Sequence, residues 1–94
     1  MVDRTVPLVE VYSREGCHLC DEALEAIRGM ASHDMHFDLQ VIDIESDDQL
    51  HMTHLERIPV VAINGVEVAE LEVDPRQLRD LIKSAASIAP DVND

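Results

Sequence analysis

The stretch Leu8-Val9-Glu10-Val11-Tyr12-Ser13-Arg14-Glu15-Gly16-Cys17-His18-Leu19-Cys20-Asp21-Glu22-Ala23-Leu24 passes from one kind of periodicity to another. After Pro7, the Val-rich run over residues 8–12 predicts a strand, and a proline at its start fits because the first strand residue can forgo a ladder hydrogen bond. Ser13, Arg14, Glu15 and Gly16 read as a loop. Beyond them Leu24, Ile27, Met30 and Ala31 recur at helical spacing. Asp21 and Glu22 fall in the first turn, where the positive end of the helix dipole favours carboxylates. A helix is therefore expected from the cysteines to about residue 32, and Cys17-His18-Leu19-Cys20 sits at the junction of strand and helix.

Working outward, residues 37–44 alternate Phe37, Leu39 and Val41 with Asp38 and Gln40 before Ile42 and Ile44, which predicts a second strand with a more buried end. Ser46 followed by Gln49 has the spacing of a capping box, and residues 50–55 extend it into a short helix of about two turns. Residues 58–63 and 66–71 flank Asn64-Gly65, a pair that accepts positive φ and closes an antiparallel hairpin. Asp74 and Pro75 supply an N-cap and first helical residue, and Leu78, Leu81, Ile82 and Ala85 make a last amphipathic helix. The order is βαβαββα. Strands separated by helices predict parallel pairing through right-handed crossovers, with the hairpin adding an antiparallel strand at the end. The fold class is α/β: a four-stranded mixed sheet flanked by helices.

The 94 residues read as a single domain over 1–94, with loose ends at about 1–5 and 89–94. The longest apolar runs, such as residues 58–63, are far shorter than the roughly twenty residues a membrane-spanning helix needs. With no signal peptide visible, a cytoplasmic location is expected. Seven Lys and Arg against 20 Asp and Glu give a net charge of −13. Phosphate backbones need clustered cations, and these are scattered among acids, so nucleic acid is excluded as a partner. The same charge opposes self-association and predicts a monomer. Phe37 and Tyr12 are the only aromatic residues, so the core is built from Val, Ile, Leu, Ala and Met.

Two cysteines can form one bridge at most, and their spacing carries the chemistry. A helix N-terminus presents free N–H groups and partial positive charge, which favour a thiolate at Cys17, the candidate nucleophile. One helical turn brings Cys20 within bonding reach, where it can resolve a mixed disulfide. His18, when protonated, and Arg14 add positive charge nearby, opposed by Glu15, Asp21 and Glu22. Zinc sites use the same half-motif, and a zinc ion here would have to recruit His33 and His36, or His51 and His54. Those four histidines read more simply as solvent-facing polar residues, so no metal site is expected. A buried structural bridge is the third reading of the pair.

The segment Tyr12-Ser13-Arg14-Glu15-Gly16-Cys17-His18-Leu19-Cys20 resembles the active-site segment of glutaredoxins, closest to glutaredoxin-like proteins with a Cys-x-Leu-Cys centre. Arg57-Ile58-Pro59-Val60-Val61 is similar to the segment of thioredoxin-fold oxidoreductases in which a cis-proline faces the active-site disulfide, with Asn64-Gly65-Val66-Glu67 as the following hairpin. The resemblance covers about residues 8–82 and implies a thioredoxin/glutaredoxin-like fold. It also implies a thiol-disulfide oxidoreductase of redox homeostasis, acting on protein disulfides or glutathione mixed disulfides through Cys17 and Cys20. No tightly bound cofactor is implied, and the reductant is glutathione or a thioredoxin-type system. Tyr12, Arg14, His18, Arg57, Ile58 and Pro59 match positions near the substrate or glutathione groove. A cis peptide before Pro59 would leave the Ile58 backbone open to a bound peptide or glutathione.

Two departures stand out. Glutaredoxins usually carry a Gly-Gly segment and an Asp or Thr after the hairpin to hold the glutamyl end of glutathione; this chain has Ala69-Glu70-Leu71-Glu72-Val73-Asp74. Glu70 and Glu72 would repel that anion unless Arg14 or Arg57 compensates. The centre itself is Cys-His-Leu-Cys in place of the common Cys-Pro-Tyr-Cys. The alternative function is a redox-inactive or metal-binding adaptor that uses the same fold, with its acidic face as contact surface.

Overall fold

The computed structural model of the protein describes residues 6–31 and 35–88. The expected loose ends and the end of the first helix at residue 32 lie outside the described residues. The elements are β1 (Leu8–Ser13), α1 (His18–Ala31), β2 (Asp38–Asp43), a 3-10 turn (Ile44–Ser46), α2 (Asp48–His54), β3 (Val60–Ile63), β4 (Val66–Glu70) and α3 (Pro75–Ile88). They form a four-stranded sheet in the order β2-β1-β3-β4. This is the mixed, helix-flanked sheet of the thioredoxin/glutaredoxin fold.

One pairing differs from expectation. β1 and β2 are parallel, but β3 runs antiparallel to β1, with Val9 opposite Ile63 and Tyr12 opposite Val60. The reason is length. A seven-residue helix rises only about 10 Å, whereas strands of this size run roughly 15–20 Å, so α2 cannot carry the chain back to the other end of the sheet. The chain leaves β2 and re-enters at β3 on the same end, the end where β1 delivers the cysteines. The hairpin follows as expected, with Asn64 at φ 52° and Gly65 at φ 88°. The Asn64 Oδ1 also accepts from the Leu8 N–H at 2.9 Å, tying the turn to the start of β1.

β2 lies at the sheet edge, so its apolar end is not buried as expected: Val41 is exposed and Ile42 half-buried. Burial resumes only at Ile44, in the 3-10 turn. The expected capping box is also displaced. Asp47, not Ser46, caps α2, its carboxylate accepting from the N–H groups of Gln49 and Leu50. The Ser46 hydroxyl instead donates to the Asp43 carbonyl within the 3-10 turn. An ionised oxygen is the stronger acceptor for orphan N–H groups, and the adjacent Asp wins the position. Asp74 caps α3 as expected, with Oδ1 accepting from the Arg76 N–H.

The core falls into two clusters. The larger joins Val9, Val11, Val61 and Ile63 of the sheet to Leu24 and Ile27 of α1 and Leu78 and Ile82 of α3. The smaller, at the loop end of the sheet, packs Cys20, Ile44 and Ile58 together, with Tyr12, Cys17, Leu50 and Leu55 around them.

Candidate active site

The loop after β1 turns on Gly16, at φ 85°, a region open to glycine at little cost. Cys17 then occupies the N-cap position of α1: its carbonyl accepts from the Asp21 N–H at 3.1 Å, and its Sγ accepts from the Cys20 N–H at 3.2 Å. Sulfur here takes the place that a Ser or Asp oxygen fills at an ordinary cap. The two cysteines are joined as a disulfide across a Cα–Cα distance of 5.2 Å. Their surroundings differ: Cys17 is partly exposed, whereas Cys20 is 1% exposed and packed on Ile44 and Ile58.

The segment before β3 lies against this pair through the smaller cluster. Ile58 and Pro59 are buried, and the peptide bond between them is cis. The Leu71 N–H, just past β4, donates to both the Arg57 and the Pro59 carbonyls, at 3.1 and 2.9 Å. Among the described residues nothing hydrogen-bonds to the Ile58 backbone. Leu71 itself holds φ 65°, a left-handed conformation that a leucine rarely adopts.

The three basic side chains expected near the groove, Arg14, His18 and Arg57, each contact a carboxylate. Arg14 meets Glu45 at 2.9 Å, and His18 meets Glu22 at 2.9 Å one turn along α1, both groups well exposed. Arg57 forks between Glu70 and Glu67. Those two hydrogen bonds raise the Arg57 pKa further, and the one to Glu67, with a smaller contribution from His54, holds the Glu67 carboxyl below its usual value. So the sequence brings Tyr12, Arg14, Cys17, His18, Cys20, Arg57, Ile58 and Pro59 to one end of the sheet, but it spends the guanidinium of Arg57 inside the protein.

Sequence reasoning missed His54, which was read as solvent-facing. It is 6% exposed. Its ring stacks on Tyr12, centroids 4.4 Å apart and planes within 7°. Nδ1 lies 3.1 Å from the Leu50 carbonyl and Nε2 3.5 Å from Glu67, so both ring nitrogens face acceptors. The signal was present in the i, i+4 spacing of Leu50 and His54, which puts the two on one face of α2. Tyr12 is half-buried, and this burial, followed by the nearby charges of Glu10 and Glu67, raises its phenol pKa. Of the histidines weighed as zinc ligands, His33 lies outside the described residues. Among those described, no three His, Cys, Asp or Glu side chains are grouped to hold a metal.

Similarity to other proteins follows the same outline. A family model described as glutaredoxin-like domain (DUF836) matches residues 8–83. The uncharacterized protein Rv0508 of Mycobacterium tuberculosis is 32% identical over 91 residues, 90% of this chain and 93% of that protein. The solution structure of protein Ne2328 from Nitrosomonas europaea superposes with a TM-score of 0.69 at 28% identity, covering 86% of this chain and 94% of that one. A thioredoxin from Halobacterium salinarum, 20% identical with a TM-score of 0.66 over 89% of this chain and 78% of its own, shares the fold.

Proposed function

The chain belongs to the glutaredoxin-like domain family and is a thiol-disulfide oxidoreductase, and from that premise we propose that Cys17 is its nucleophile and Cys20 its resolving thiol. The observation that carries the assignment is the asymmetry of the pair. Cys17 reaches solvent with its sulfur on an N–H of the first helical turn, while Cys20 is buried beneath it. The N–H bond and the helix N-terminus both favour a thiolate at Cys17.

In the reaction, the Cys17 thiolate attacks one sulfur of a substrate disulfide. A Cys17 mixed disulfide forms, and the other half of the substrate leaves as a thiolate. Cys20, deprotonated, then attacks the Cys17 sulfur; the mixed disulfide breaks, the Cys17–Cys20 bond forms, and the second substrate thiolate leaves. Two electrons pass to the substrate, and the two protons given up by the cysteines match the two thiols produced. External thiols, glutathione among them, return the electrons. The Ile58 backbone, without hydrogen-bond partners among the described residues, pairs with the bound chain. Arg57 acts as a positioning residue, linking the segment before Pro59 to β4 through Glu67 and Glu70. Tyr12, Arg14 and His18 border the groove.

The substrates on this reading are protein disulfides and glutathione mixed disulfides. The setting is a monomer in the cytoplasm, where a dithiol of this kind is kept reduced; among the described residues no helix is long and apolar enough to cross a membrane. Cys17→Ser should abolish turnover, and Cys20→Ser should accumulate mixed disulfides on Cys17 that are visible by mass. Robust turnover by the Cys17→Ser protein would sink the assignment.

A further inference from the structure

Beside the cysteine pair a groove of about 460 Å³ opens between α1 and the 71–75 segment that joins β4 to α3. Its floor is apolar. Leu19, from inside the cysteine motif, and Leu71, from the residue bonded to the Pro59 carbonyl, both line it and remain 42% and 44% exposed, with Val73 beside them. Leu71 is held in its left-handed conformation at the very place where Gly or Asn would sit with less strain. A strained backbone that keeps an apolar side chain in the open points to a use for that side chain.

The rim is acidic. Glu22, Glu72 and Asp74 line the groove and no Lys or Arg does. Two cations at this end of the sheet are engaged elsewhere: Arg14 with Glu45, and Arg57 with Glu67 and Glu70. His18 pairs with Glu22 itself, in an exposed contact that yields easily to a competitor. Asp74 uses one carboxylate oxygen, Oδ1, to cap α3. Arg76 and Arg79 line an adjoining cavity that meets the groove at Ala26 and Pro75 and do not line the groove itself. An anion approaching the disulfide through this groove therefore meets three carboxylates and, among the described residues, no cation in its lining, on a chain of net charge −13.

Resting on the redox reading above, we propose that this groove ranks disulfide substrates, favouring polypeptides that carry Lys or Arg and an apolar residue next to the reactive cysteine over glutathione disulfide. The apolar side chain covers Leu19 and Leu71. The cationic head reaches Glu22, Glu72 and Asp74. Glutathione has no apolar side chain to cover the leucines, and its two carboxylates outweigh its one ammonium at the acidic residues.

The test uses the reduced full-length protein in single turnover against two peptides of matched sequence. Each carries one cysteine capped as a mixed disulfide with mercaptoethanol; one has Lys and Leu beside the cysteine, the other Glu and Leu. Release of the peptide thiol should be at least about tenfold faster for the Lys peptide at low salt. The ratio should fall toward one in about half-molar salt, where charges are screened beyond a few ångströms. It should also fall in the Glu22→Gln, Glu72→Gln double variant, and glutathione disulfide should react more slowly than neutral hydroxyethyl disulfide. Equal rates for the two peptides, a preference for the Glu peptide, or a preference that survives in the double variant would overturn the assignment while leaving the redox reading intact. No thiol release from either peptide or from hydroxyethyl disulfide would remove the redox reading, and the groove assignment with it.

Discussion

Ile44→Ala tests whether the small cluster under the disulfide is what keeps Cys20 away from solvent. Ile44 is fully buried and touches the same group as Cys20 and Ile58. Three carbons are removed, and at roughly 0.8 kcal/mol per buried CH₂ the transfer loss is about 2.4 kcal/mol. A rigid cavity would add up to about 2 kcal/mol more. Tyr12, Leu50 and Leu55 are each only half-buried and can lean into the gap, which places the total near the low end, about 3 kcal/mol. For a domain of this size that corresponds to a drop in melting temperature of roughly 12–24 °C. Urea denaturation of the reduced protein, with the slope unchanged, measures the first quantity. Alkylation under native conditions measures the second: in the wild-type protein Cys17 should react well before Cys20, and in Ile44→Ala the lag of Cys20 should shrink by about tenfold, since part of its cover is lost. A loss under about 1 kcal/mol together with unchanged protection of Cys20 would refute the claim that this cluster buries the resolving thiol.

Arg57, first, and His54 hold the Glu67 carboxyl below its ordinary value, so its contribution is present above the unfolded pKa, about 4.5, and is lost as pH falls through the folded one. The melting-temperature gap between wild type and Glu67→Gln should therefore be widest near neutrality and close in acid; a gap independent of pH would count against the ion-pair account. Gly65→Ala meets no neighbouring atom within 4 Å, so its cost is purely the positive φ, about 1 kcal/mol in thermal or urea melts, with redox turnover unchanged. Asp47→Ala should cost about 1 kcal/mol through loss of the α2 cap, whereas Ser46→Ala should cost less. The reverse order would restore the capping box.

What the sequence made legible was local. The switch of period around Cys17 placed β1, the loop and α1, and Asn64-Gly65 placed the hairpin, because both signals depend only on neighbouring residues. The direction of β3 was not legible from the rule that helices join parallel strands, since that rule assumes a crossover long enough to span the sheet and α2 is not. Edge status misled in the same way: the pattern of residues 37–44 encodes an apolar face but not how many strands cover it. At the site, the cysteines and Pro59 could be named from the sequence. The partners of the cations could not. Arg57 reaches Glu67 and Glu70 only because β4 folds back beside the segment before Pro59, and His54 is buried only because α2 turns it onto Tyr12.

Tyr12 is the chain's one tyrosine, and the chain has no tryptophan. Its ring packs on the cluster that holds Cys20 and lies in the same neighbourhood as Cys17. Excited at wavelengths longer than phenylalanine absorbs, intrinsic emission from this protein therefore originates from a single chromophore beside the sulfur pair, and disulfide sulfur is an effective quencher of an excited phenol. Opening and closing of the dithiol should be readable as a rise and fall of that emission in real time, with no label attached and no other fluorophore to subtract.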